Sequence, residues 1–375
     1  MGLRQIPAQT CKRIVIFRFD TAENRPGGSR LAGVAESKLP MRSAIVHYWL
    51  LNMRGGEKVV EALCRLLPDA DVFTLFYDRA KVSPEIRSHR VRSSFLNPLR
   101  RHYRSLLPLF PLALESMDLR AYDLVISSES GPAKGVLTAA GTRHICYCHS
   151  PMRYLWDLYP AYLHDWTRSV WKKTAMAAFG CPLRVWDYST AARVDEFAAN
   201  SRNVQKRIWK AYRRESQVIY PPVAVETFRW APSGDGYLVV SELVAYKRIV
   251  DAVRCFTRTG RRLRIVGDGP EYASLKRQAG QNVEFCGRVS QGQLRDLYSG
   301  CRALLMPGEE DFGIVAVEAM ASGKPVIALG RGGVLEAVPP GGRGAAVFYG
   351  EPGDEALEQA VKRFEEVEAL VRPPE

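Results

Sequence analysis

Residues 301–333 read CRALLMPGEEDFGIVAVEAMASGKPVIALGRGG. The apolar run at 301–306 predicts a short buried strand. Pro307-Gly308 ends it, and three acids follow, Glu309, Glu310 and Asp311. Phe312-Gly313 then leads into the helical pattern IVAVEAMA, which Gly323 closes. After Lys324-Pro325, VIAL at 326–329 predicts the next strand. Strand, acidic loop, helix and strand make one βαβ unit.

Within this unit Glu310 and Glu318 stand eight residues apart. One continuous helix would set them roughly 80° apart. Glu310 is placed in the loop and Glu318 about one turn inside the helix. Both can then face a ligand lying over the helix N-terminus, whose N–H groups and positive dipole end suit phosphate. Carboxylates repel phosphate but accept hydrogen bonds from sugar hydroxyls. The chemistry suggested is a sugar nucleotide, with its diphosphate on backbone amides and its sugar and ribose on the two acids. The spacing alone also fits a dipole-favoured acid plus a solvated glutamate.

The longer run PGEEDFGIVAVEAMASGKPVIALGRGGVLEAV, at 307–338, resembles the E-x7-E donor-site signature of retaining glycosyltransferases of family 4. The resemblance covers about residues 41–370. It implies an α/β chain of the GT-B fold, two Rossmann-like β/α/β domains facing a central cleft, with the nucleotide-sugar donor mainly on the second.

The composition agrees with a folded two-domain protein: 375 residues, 46% apolar and 25% charged. A net charge of +13 favours acidic partners: a nucleotide sugar, anionic lipid head groups or nucleic acid. Eight cysteines without framework spacing, and no leader at the start, point to a reducing cytoplasm. No apolar run is long enough to span a bilayer. Residues 1–40, with a strand-like IVIF at 14–17, match nothing expected and read as an extension or a mis-called start before Met41. The expected division is 41–217 for an acceptor-side domain and 218–375 for the nucleotide-sugar domain.

In the first domain, Gly55-Gly56 falls at a strand-to-helix turn and allows backbone to approach a ligand, or is simply a turn. His149 sits just past the strand HICYC, where open α/β sheets bind ligands. A neutral imidazole there can hydrogen-bond a sugar hydroxyl or a leaving phosphate oxygen. The context HSPMRYLWD resembles a branch containing bacterial mannosyltransferases, and His149 matches that family's active-site histidine. His144, Cys146 and Cys148 share one strand face while His149 points the other way, and C-x2-C ligand pairs are absent, so no metal is expected. Residues 93–114 mix Arg100, Arg101, His102 and Arg104 with Leu, Phe and Pro. They form either a core helix with a basic face or a surface resting on anionic lipid, and Pro108 and Pro111 argue against one long helix. Residues 162–201 are mostly helical, Trp-rich and basic, without a nucleic-acid signature. Ser201, the last residue of the strand-like FAANS at 197–201, matches a small polar position of the family's site.

Pro221-Pro222 marks the linker. Lys247, read near the start of a helix at 244–256, resembles the lysine that binds the donor diphosphate. Five residues earlier many members carry an Arg; here stands Glu242, with Arg248 a candidate substitute. The resemblance adds Gly267 and Val289 around the nucleotide, and Phe312, Gly313 and Ile314 beside Glu318. It also adds Gly332 and Gly333 as amide donors near the diphosphate. A last helix is expected over 354–371.

The function expected is transfer of a hexose, mannose from GDP-mannose, to a lipid-linked saccharide in cell-surface polysaccharide synthesis. Glu310, Lys247 and His149 would be catalytic, and no cofactor, metal or nucleic acid is expected. The location expected is cytoplasmic, with attachment to the inner membrane face left open. The alternatives are another GT-B enzyme such as a sugar-nucleotide epimerase, or a non-catalytic binding relative.

Overall fold

Apolar runs alternate with helical patterns along the chain, and the strands they form gather into two sheets. The structure, a computed structural model, describes residues 41–167, 169–338 and 346–368. The extension expected at 1–40 and the end of the last helix pattern lie outside the described residues.

The first sheet contains β1 (Ser43–Leu50), β2 (Asp71–Tyr77), β3 (Val91–Ser93), β4 (Leu124–Glu129), β5 (Arg143–Cys148), β6 (Glu196–Ala199) and β7 (Gln217–Val218), in the order β3-β2-β1-β4-β5-β6-β7. Its central pairs are parallel, with Ile45 beside Val72 and Ile126. β1 reads as a near-continuous apolar run because both of its faces are covered. Ala44 and Val46 pack with Phe73, Phe110 and Val125 on one side. Ile45 packs with Val59, Val60, Leu63 and Ile86 on the other. The period of two along the strand produces this split.

The second sheet contains β8 (Tyr237–Val240), β9 (Leu263–Val266), β10 (Val283–Gly287), β11 (Leu304–Met306), β12 (Val326–Leu329) and β13 (Ala346–Tyr349), in the order β10-β9-β8-β11-β12-β13. All its pairs are parallel. In each sheet the order reverses beside the first strand, between β1 and β4 and between β8 and β11. Such a reversal opens a crevice at the carboxyl ends of the two strands.

The helices that matter below are α1 (Gly55–Leu66), α2 (Val170–Thr190), α3 (Arg202–Tyr212), α4 (Ile249–Thr259), α5 (Ile314–Ala321) and α6 (Asp354–Val367). α4 and α6 cover one face of the second sheet through Val253, Phe256, Leu357 and Phe364 against Val239, Leu305 and Ile327. α5 covers the other face through Ala316 and Ala319 against Leu304 and Val326. Each large side chain buried this way stabilises the fold by about 1.5–3 kcal/mol. Residues 97–115 are not one helix: Asn97–Leu109 winds in 3-10 turns with non-helical backbone at Leu99 and His102, and Phe110–Glu115 follows as a short α-helix. Prolines at 98, 108 and 111 remove the amide donors an α-helix would need.

By compactness the described chain divides in two. One unit holds the residues up to Asp157, then Thr174–Ala198 and Ala211–Pro222; the other holds Leu158–Lys173, Ala199–Lys210 and the residues from Val223 onward. The division expected at 217/218 falls inside the stretch Ala211–Pro222.

The first unit encloses an ionic cluster. Lys134 is fully buried, pairs with Asp187 of α2 and lies 3.5 Å from Glu129 Oε1 at the end of β4. Asp187 also accepts hydrogen bonds from Trp156 Nε1 at 2.7 Å and Tyr212 OH at 2.9 Å. One cation thus serves two carboxylates away from water. Burial pushes the Glu129 carboxyl up to about 7, although Lys134 pulls the other way. A raised carboxyl pKa means the protonated form suits the fold, so this contribution is present at low pH and lost as pH rises through about 7. Replacing Lys134→Met leaves two carboxylates facing each other. Stability measured by denaturant titration is expected to fall by about 3–5 kcal/mol, with a larger deficit at pH 8 than at pH 5. A loss that does not grow with pH would contradict this account.

Candidate active site

At the switch point of the second sheet, two loops meet. The loop after β8 passes through a 3-10 turn, Ala245–Lys247, and a left-handed Arg248 (φ 53°) before α4 begins. Lys247 therefore precedes the α-helix rather than opening it, unlike the helix expected from 244. The loop after β11 carries the three acids. The Lys247 ammonium pairs with the Glu310 carboxylate, with only 15% and 18% of the two side chains exposed. Burial opposes the lysine charge, but Glu310, helped by Tyr246 and Asp311, holds the ammonium above its ordinary range.

Backbone packing enforces this meeting. A Cβ at Gly308 would lie 2.7 Å from the Lys247 backbone, so only glycine lets the two loops touch. A Cβ at Gly333 would lie 2.0 Å from the Asp311 carbonyl oxygen. Gly333 N donates to Glu310 O at 2.7 Å, and Glu310 bridges Gly332 in strand fashion. Gly333 was expected to offer its amide to a diphosphate; that amide instead clamps the acidic loop.

The three neighbouring acids have different partners. Arg207 of α3 pairs with both Glu309 and Asp311, while Glu310 pairs with Lys247. Ser201 Oγ donates to the Asp311 carbonyl at 2.6 Å and accepts from Val204 N at 3.0 Å, capping α3. Glu336 accepts from Arg202 N at 2.8 Å and Asn203 N at 2.9 Å at the same helix end. The sequence reading missed Arg207 and Glu336. Nothing local marks them, because each acts on a loop or helix about a hundred or more residues away.

Glu318 on α5 is buried and accepts a hydrogen bond from Tyr298 OH at 2.8 Å. Burial and this carboxylate push the Tyr298 phenol well up, so it stays a donor. An ionised carboxylate keeps lone pairs for further donors. Phe312 is buried, and Gly313 (φ 97°) turns the chain into α5 at Ile314. Gly267 N donates to Gly287 O at 2.8 Å, and Val289 packs beside Leu238 and Met306. Arg248 is bound to Asp251 at 2.7 Å. Its guanidinium is thus engaged on its own helix, while Glu242 occupies the β8 loop.

The first unit gathers a second group. His149 follows β5; its N–H donates to Glu129 O at 2.6 Å and its Nε2 lies 2.9 Å from Ser128 Oγ. Gly56, in the first turn of α1, points its missing Cβ at this ring: that atom would sit 3.7 Å from His149 Nε2 and 3.5 Å from Tyr48 OH. Gly55-Gly56 and His149, distant in sequence, therefore share one place. His47 of β1 lies there too, its Nδ1 2.7 Å from Ser128 O. Burial, then His149, push its imidazole down to about 3, so it is neutral and Nδ1–H donates to that carbonyl. The only sequence signal for His47 was a histidine inside an apolar central strand. His144 instead meets Ser127 Oγ at 2.9 Å. Ser127 and Ser128 are successive strand residues, so the two histidines lie on opposite sheet faces.

Comparison with known proteins identifies the family and the fold. Residues 53–227 match the model of Glycosyltransferase Family 4, and residues 232–372 that of Glycosyl transferases group 1. The chain belongs to glycosyltransferase family 4, and its fold is GT-B. Sulfoquinovosyl transferase SQD2 of Arabidopsis thaliana is 35% identical over 95 residues, 25% of this chain and 19% of that one. GDP-mannose-dependent alpha-mannosyltransferase of Mycobacterium tuberculosis (strain CDC 1551 / Oshkosh) is 30% identical over 179 residues, 47% of this chain and 42% of that one. The chain thus spans less than half the length of either curated relative. The crystal structure of Anabaena HepE with UDP and glucose superposes with a TM-score of 0.63 at 17% identity, covering 89% of this chain and 93% of that one.

Gly308→Ala is expected to lower stability by about 1–3 kcal/mol, the cost of overpacking, because the added Cβ pushes the Lys247 backbone away from the acidic loop. Gly141→Ala, where an added Cβ meets nothing within 4 Å, is the control, expected to stay within about 0.5 kcal/mol. Thermal melts of both variants check this. Equal behaviour of the two would remove the close-approach argument.

Proposed function

We propose that the protein is a retaining glycosyltransferase that moves mannose from GDP-mannose onto a lipid-linked saccharide during cell-surface polysaccharide assembly. The observation that carries the transferase reading is the Lys247–Glu310 pair at the β8/β11 switch point. Charge grows on the departing phosphate as the bond to the sugar anomeric carbon breaks. A preformed ammonium stabilises that charge without reorganising at the moment of reaction. Glu310 keeps Lys247 aligned before the donor arrives and accepts a hydroxyl of the donor sugar. Glu318, with Tyr298 holding one oxygen, accepts the ribose hydroxyls.

His149 and the Gly55-Gly56 turn serve the same reaction on the acceptor side. The neutral His47 and Ser128 orient the His149 ring, which hydrogen-bonds the reacting sugar. Attack from the face the phosphate leaves would retain configuration without a protein nucleophile. The mannose assignment is supported by the HSPMRYLWD context and by the likeness to the mycobacterial mannosyltransferase. The membrane-borne acceptor is supported by the +13 charge and the basic stretch at 93–114.

Calorimetric titration with GDP-mannose, UDP-glucose and UDP-N-acetylglucosamine tests the donor. Selective binding of GDP-mannose, lost in Glu310→Ala, is expected; preference for a UDP-sugar would overturn the mannose reading. Binding of none of the three would favour a non-catalytic relative, with Glu242 at the usual Arg position as its cause. Lys247→Ala is expected to lower kcat about 10²–10³-fold, and NMR of the product should show the donor's anomeric configuration.

A further inference from the structure

A surface helix ordinarily turns its charged face to water. α2 does not. Its buried side holds Gly180, Leu183, Asp187 and Thr190. At about 3.6 residues per turn the opposite side holds Thr174, Ala178, Cys181, Pro182, Val185 and Ser189, and all six are exposed. Between Lys173 and Arg184 the helix has no charged residue. Tyr188, at the edge of that side, is 51% exposed; Phe179, bordering the buried stripe, is 47% exposed, and Trp171 in the opening turn is 85% exposed.

The helix is anchored, so this exposure is built in. Leu183 packs in one cluster with Leu107 and Trp186. Trp186 Nε1 donates to Glu115 Oε1 at 3.0 Å. These contacts set α2 against 97–115, whose Leu99 and Leu112 are 51% and 62% exposed. Arg100, Arg101 and Arg104 on that stretch are exposed as well.

We propose that the outward face of α2, together with the exposed leucines and arginines of 95–112, seats on an anionic lipid bilayer. The apolar side chains enter the boundary between head groups and acyl chains, and the guanidinium groups meet lipid phosphates. Charge selects this occupant over a second copy, since two chains of +13 repel one another. No helix among the described residues is long and apolar enough to cross a membrane, so the contact is interfacial. The proposal deepens the reading that the acceptor is membrane-borne and rests on it for its purpose. Vesicle attachment itself is measured without acceptor or donor.

The experiment is co-sedimentation of the full chain with phosphatidylcholine vesicles, with and without phosphatidylglycerol, at low and high salt. Binding only to the anionic vesicles, weakened by salt, is expected. Val185→Glu and Phe179→Glu should each reduce it about tenfold or more, and Arg100→Ala and Arg101→Ala about fivefold each. Circular dichroism and nucleotide titration of every variant establish that the fold and donor site are intact. Absence of binding to anionic vesicles at low salt overturns the proposal, and retained nucleotide binding then leaves the transferase reading standing. Unchanged binding by both glutamate variants removes α2 from the surface. Self-association by sedimentation velocity without vesicle binding assigns the face to a second copy instead.

Discussion

β8 and β11 are hydrogen-bonded neighbours whose following connections leave to opposite faces of one sheet. That single constraint governs the carboxyl edge of the second sheet. α4 follows β8 on one face, α5 follows β11 on the other, and the loops between are left side by side at the carboxyl edge. Lys247 ends one loop and Glu310 lies in the other, so their ion pair is a consequence of strand order. Its strength depends on how dry the crevice is, because Coulomb attraction grows as the local dielectric falls.

Three adjacent acids at this edge divide between two cations. Arg207 neutralises Glu309 and Asp311, which frees Lys247 to pair with Glu310 alone. Without that arginine, three adjacent acids would compete for one lysine. The first unit solves a related problem at Lys134, where one buried cation serves Glu129 and Asp187. Breaking such a pair costs more than forming it gains, because the remaining charge stays out of water. Both ionic centres lie near strand ends at or beside a switch point.

Much of this was legible in the sequence. The alternation of apolar strands with helical patterns yields the βαβ repeats, and strands such as β1, β5 and β12 fall where their apolar runs lie. Motif context singled out Glu310, Glu318, His149 and Lys247, and the structure pairs Glu310 with Lys247. The start of α4 was not. The pattern over 244–256 continues helically, but Arg248 adopts left-handed backbone and breaks it. Nor was the duty of Gly333, whose amide holds Glu310 O. Both facts concern backbone geometry, for which side-chain periodicity carries no signal.

By itself the sequence determined the class of fold and the family, and it singled out the short stretches proposed to bear chemistry. These properties are local: a period of two or 3.6, a glycine turn, an acidic loop before a helix. Only the tertiary structure decided which acid meets Lys247, that Arg207 and Glu336 belong to the site, and that His47 stands beside His149. It also decided that the uncharged side of α2 faces outward. Pairings of this kind join residues about a hundred positions apart, or rest on which helix face a neighbour happens to cover. Their energies come from desolvation and close contact, which exist only once the chain has packed.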